Sequence, residues 1–181
     1  ELWRTDGTPG GTTIIKDIVP GNVDSSPGRG VLIGSQLVFP ATTAEGVELW
    51  KTDGTGPGTS LLFDLQPDPS LVSIDQMINV AGNLLVIGDD GLRGREIFKF
   101  PPNLSVPPQI IDIVPGENTS SPLHIAPGLA DNEAFVFAYD QFASPSLFSI
   151  NTQTNSFSNI TGVGDVTRGQ HSFASGFIKV G

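Results

Sequence analysis

Glu1-Leu2-Trp3 returns as Glu48-Leu49-Trp50, then as Glu96-Ile97-Phe98, then as Ser146-Leu147-Phe148, at offsets of 47, 48 and 50 residues. A second landmark keeps the same beat: Asp17-Ile18, Asp64-Leu65, Asp112-Ile113 and Asn159-Ile160. A third, Ile18-Val19-Pro20-Gly21, comes back as Ile113-Val114-Pro115-Gly116. Each copy of it is followed by a Ser-Pro step, at Ser26-Pro27 and Ser121-Pro122. A fixed period constrains the architecture more than any local propensity does. Each repeat is one unit, and it must bury its apolar surface against its neighbours.

Inside each repeat the pattern is that of strands. Val31-Leu32-Ile33 and Leu37-Val38-Phe39 flank the turn Gly34-Ser35-Gln36, and Met77 to Val80 and Leu84 to Ile87 flank Ala81-Gly82-Asn83. Short apolar runs around a Gly-containing turn read as β-hairpins. The Glu-Leu-Trp segment is a third strand and Thr13 to Ile18 a fourth, joined through Thr5-Asp6-Gly7-Thr8, where Asp-Gly is a strong hairpin signal. No stretch carries a sustained helical period; Leu71 to Val80 comes nearest and is short. The expected class is all-β with about four strands per repeat, and repeats of this length and content are those of β-propeller blades. The 181 residues then hold about four blades of roughly 48 residues in one propeller unit, framed as 1–47, 48–95, 96–145 and 146–181. The last residues, Phe177 to Gly181, match Val31 to Gly34, so the chain is expected to be a segment of a larger ring of about six to eight blades.

The first two repeats carry Glu-Leu-Trp-Arg/Lys-Thr-Asp-Gly-Thr-x-x-Gly-Thr, at Glu1–Thr12 and Glu48–Thr59. This resembles the ELWxTDGTxxGT repeat of large secreted or surface-anchored bacterial proteins. The resemblance implies a β-propeller and an extracellular or cell-surface location. It is close over about half the chain. The third repeat keeps Glu96-Ile97-Phe98 but puts Pro101-Pro102-Asn103 in place of the Asp-Gly turn, and the fourth keeps only a generic hairpin.

Composition excludes several classes. A net charge of −10 argues against nucleic acid or an anionic membrane surface as partner. There is no cysteine, hence no disulfide, thiol nucleophile or Cys-based zinc site. No apolar run is long enough to cross a bilayer as a helix. Gly and Pro are abundant, at 22 and 15, yet most fall where hairpins and blade junctions need them.

Candidate chemistry rests on acids. Asp6 and Asp53 hold one place in two turns, and Asp89 and Asp90 precede Gly91 after a hairpin. These four are the metal candidates, for calcium, which takes carboxylate and carbonyl oxygens from loops. No D-x-D-x-D-G spacing supports it, and the competing reading is an Asx turn, in which Asp accepts hydrogen bonds from nearby backbone. No other cofactor is expected. Glu45, Glu48 and Glu96 recur at strand starts, a placement that points to structural hydrogen bonds or a solvated edge rather than catalysis. The two histidines, His124 and His171, lack a carboxylate-rich surround, and no G-x-S-x-G elbow exists. Trp3 and Trp50 share their position with Phe98 and Phe148, which favours blade packing over sugar stacking. N-x-S/T triplets occur at Asn103, Asn118 and Asn159.

Three functional readings stay open. The first is a non-catalytic extracellular scaffold that binds a protein or polysaccharide surface or serves assembly. The second is a propeller-based hydrolase or lyase with acids converging on the central channel. The third is a calcium-stabilised adhesion module.

Overall fold

The computed structural model describes residues 1–65, 73–90, 94–105, 107–114 and 120–160. Among these, the apolar runs form fourteen strands and no helix. The strands β1 (Leu2–Arg4) and β2 (Thr13–Lys16) make an antiparallel pair. Three four-stranded antiparallel sheets follow, each paired in chain order. The first holds β3 (Val31–Ile33), β4 (Gln36–Thr43), β5 (Gly46–Thr52) and β6 (Ser60–Phe63). The middle sheet holds β7 (Ser73–Val80), β8 (Asn83–Asp89), β9 (Arg95–Phe100) and β10 (Gln109–Ile111). The third holds β11 (His124–Pro127), β12 (Glu133–Tyr139), β13 (Pro145–Asn151) and β14 (Phe157–Asn159).

The hairpin turns fall where Gly and small residues allow positive φ. Gly34 sits at φ 58° between β3 and β4, and Ala81 and Gly82 sit at 50° and 82° between β7 and β8. The Glu-Leu-Trp landmark opens the third strand of a sheet, and Leu71 to Val80, the stretch nearest to helical, contributes β7, whose register shifts around Asp75.

Packing explains why one strand is apolar throughout. Residues 83–88 of β8 are all buried because the middle sheet is covered on both faces. Leu84 and Val86 pack with Val38 and Leu49 of the first sheet, while Leu85 and Ile87 pack with Val136 and Ile150 of the third. Each such side chain stabilises the fold by about 1.5–3 kcal/mol. In β12 burial alternates instead, with Ala134, Val136 and Ala138 buried and Phe135, Phe137 and Tyr139 half-buried.

The sheets meet through their first strands, β3 beside β7 and β7 beside β11. Two side-chain amides join them there. Asn79 Nδ2 donates to the Leu32 carbonyl at 2.7 Å, and Gln76 both donates to the Ile125 carbonyl (2.7 Å) and accepts from its N–H (3.0 Å). Further out, buried Lys99 donates to the Thr152 carbonyl and to Asn155 Oδ1, and burial lowers its pKa.

Candidate functional site

The two closest motif copies fold into the same loop. In the first, Asp6 Oδ1 accepts from the Thr8 N–H (2.9 Å) and hydroxyl (2.8 Å); in the second, Asp53 Oδ1 accepts from the Thr55 N–H (2.9 Å) and hydroxyl (2.7 Å). The flanking threonines close each loop, Thr5 to Thr12 and Thr52 to Thr59, with hydroxyl oxygens 2.7 Å apart in both. A methyl group on Gly11 would lie 1.9 Å from Asp6 Oδ1, and one on Gly58 would lie 2.0 Å from Asp53 Oδ1. The second glycine of the motif is therefore required by the carboxylate, not by its own φ. The Asp-Gly step lies inside this longer loop rather than forming a two-residue hairpin, and Gly7 and Gly54 take φ of 89° and 90° within it.

Both carboxyls are held below the usual 3.8, first by the threonine hydroxyl and then by its N–H. A depressed folded-state value adds stability that is complete above the unfolded value and is lost as pH falls through the folded one. The wild type is therefore expected to lose thermal stability below about pH 4, and the double substitution Asp6→Asn, Asp53→Asn to flatten that loss. Melting curves between about pH 2 and 6 check it; identical pH profiles for the two proteins would remove these turns from the acid response.

The other acids are also engaged. Glu48 is buried and accepts from the Thr43 hydroxyl (2.6 Å) and from Trp50 Nε1 (3.3 Å). Buried Glu96 accepts from the Ser120 hydroxyl at 3.2 Å, and Glu1 accepts from the Ser25 hydroxyl at 3.0 Å, one repeat pattern in two places. Glu45 is exposed in the β4–β5 turn. Asp90 is buried, and Asp89 pairs with Ser73 and Arg95 in the sheet ladder. Among the described residues no three His, Asp or Glu side chains are grouped to hold a metal. His124 lies on β11 opposite Phe137, while His171, Gly91 and Asn118 fall outside the described residues.

Two cavities stand apart from these contacts. One, of about 600 Å³, lies between β3 and β7 and is lined by Arg29, Asp75, Gln76 and Met77 among others. Its Asp75 is paired with Arg95 at 2.6 Å. The second, of about 340 Å³, lies against the third sheet and is lined by Asp140, Phe142, Phe148, Phe157 and Asn159.

The backbone resembles that of puromycin hydrolase. Two crystal structures of that propeller-containing enzyme match with a TM-score of 0.55 each, one at 17% identity and the other, an S511A mutant complexed with PGG, at 18%. Each match covers 84% of this chain but only 24% of the hydrolase. At this identity the likeness concerns the fold: all-β, built of four-stranded antiparallel sheets, propeller-like. No family model and no curated protein matches the chain.

Sequence reasoning passed over the second cavity. Its signal is a departure from the repeat, for by landmark order Asn159 stands where the third repeat has Asp112. The ladder instead sets Asn159 opposite Phe148, the place that Ile110 takes opposite Phe98.

Proposed function

We infer that the chain is a non-catalytic, propeller-like scaffold that binds a protein or polysaccharide surface outside a bacterial cell. The observation that carries this reading is the employment of the in-phase acids. Among the acids with the chemistry for metal binding or hydrolysis, Asp6, Asp53 and Glu48 accept hydrogen bonds that hold their own loop or sheet, and Glu96 accepts one from Ser120, whose carbonyl takes the Tyr139 N–H of the third sheet. Support for the extracellular place is the likeness of Glu1–Thr12 and Glu48–Thr59 to the secreted repeat.

A second reading draws on the neighbours alone. Both are hydrolase structures, and this chain would then be the propeller portion of such an enzyme. One experiment separates the two. Purified chain is passed over immobilised bacterial surface polysaccharide and surface-protein fractions, with and without calcium, and assayed on chromogenic esters and peptides. Retention without turnover is expected. Turnover with no retention would overturn the scaffold reading, and retention only with calcium would turn it into the adhesion module.

A further inference from the structure

The third sheet breaks the repeat at three places, and all three line one cavity. Opposite Phe148 stands Asn159, whereas Trp3, Trp50 and Phe98 face Ile14, Leu61 and Ile110. Opposite Ile150 stands exposed Phe157, where the first sheet joins the hydroxyls of Thr52 and Thr59; the middle sheet has Phe100 in the place of Ile150, but buried. The β12–β13 turn carries Gln141-Phe142 where the β4–β5 turn carries Ala44-Glu45. Sheet packing accounts for a residue that obeys the repeat. It does not account for three departures that converge.

The geometry of the turn is fixed. Asp140 Oδ1 accepts from the N–H groups of Phe142 (2.9 Å) and Ser144 (3.0 Å), and Ala143 takes φ 54°. This holds Phe142 out with 70% of its surface exposed, and little ordering cost remains for a ligand that stacks on it. Phe157 is also exposed and meets Phe148 edge-on, ring centres 6.3 Å apart. Gln141, Ser158 and Asn159 add amides and a hydroxyl to the lining, groups that both donate and accept.

We propose that this cavity binds a neutral pyranose sugar, a deepening of the scaffold reading that rests on it. The C–H face of the sugar lies on an aromatic ring, and its hydroxyls meet the lining amides. A volume of about 340 Å³ accommodates one or two sugar rings. No Lys, Arg or His lines the cavity, and the chain carries a net charge of −10, so an anionic sugar is disfavoured.

Saturation-transfer NMR from the purified chain to maltose, cellobiose and N-acetylglucosamine tests the proposal. Transfer to ring C–H protons is expected for at least one of them, with Kd of about 1 mM. Phe142→Ala should weaken it about tenfold. Asn159→Ile, which restores the repeat's own apolar residue, should weaken it without lowering Tm. No transfer to any of the three, or transfer that survives both substitutions, overturns the site. So does binding confined to N-acetylphenylalanine amide, which would assign the cavity to an apolar protein segment. Phe142→Ala is also run in the retention assay. If wild type and variant are retained alike, the scaffold reading stands and the sugar site falls; if wild type is not retained, the scaffold reading itself falls.

Discussion

Phe98→Ala is expected to lower stability by about 3–5 kcal/mol, and Trp3→Ala by no more than about 1 kcal/mol, although the two residues hold the same place in the repeat. The difference lies in what stands on the side facing the preceding sheet. Phe98 retains 2% exposure in the cluster formed with Val38, Leu49 and Val86, so truncation removes both its burial and the surface it fills. Trp50 packs on Phe39 and Ile18 and is half-buried. Trp3, by contrast, is 57% exposed. Paired urea titrations of the two variants measure the gap. Equal losses would mean that the tryptophan and phenylalanine positions do not report packing between successive sheets.

That gap also marks what the sequence could and could not convey. The all-β class and the hairpins at Gly34 and Ala81-Gly82 were legible because turn chemistry and apolar alternation act over a few residues. Phase alone left Glu48 and Glu96 between a structural hydrogen bond and a solvated edge, and their burial with hydroxyl partners decides for the first. What was not legible is pairing register. The strand pairs β1–β2 and β5–β6 share a shift beside the tryptophan, leaving Ile15 and Leu62 without an opposite residue, whereas β9–β10 pairs regularly. The bulge leaves the landmark spacing unchanged, since Asp17, Asp64 and Asp112 each follow their aromatic by 14 residues, whereas Asn159 follows Phe148 by 11 and matches Asp112 only in the overall period.

The loop of the motif shows a different limit. Gly11 and Gly58 read as ordinary turn glycines, yet each is needed because the Asp6 or Asp53 carboxylate occupies the space of a side chain. That requirement comes from a residue five positions earlier and a bond to threonine, and no single-residue propensity encodes it. The same lesson applies to Asp140. Its sequence neighbourhood resembles any polar turn, but its carboxylate organises the loop that exposes Phe142.

Glu48→Ser is expected to cost about 2–3 kcal/mol, since the half-buried Thr43 hydroxyl and Trp50 Nε1 would lose their carboxylate. The third sheet solves the same site with the roles exchanged. Ala41 pairs with Glu48, and Ala138 pairs with Ser146. Two residues beyond the alanine, the first sheet has Thr43 donating to Glu48, and the third has Asp140 accepting from Ser146 at 3.3 Å. In the first and third sheets a hydroxyl and a carboxylate meet across this strand pair with the strands exchanging groups, while the middle sheet has Asp90 two residues beyond Gly88, the partner of Glu96, and takes its hydroxyl from Ser120. The double substitution Thr43→Asp, Glu48→Ser should therefore recover about 1–2 kcal/mol relative to the sum of its single changes. Full recovery is not expected, because Trp50 Nε1 is placed for the glutamate and the shorter aspartate approaches from the opposite strand. Strictly additive losses in a double-mutant cycle would show that the exchange in the third sheet is a local accommodation rather than a rule of the fold.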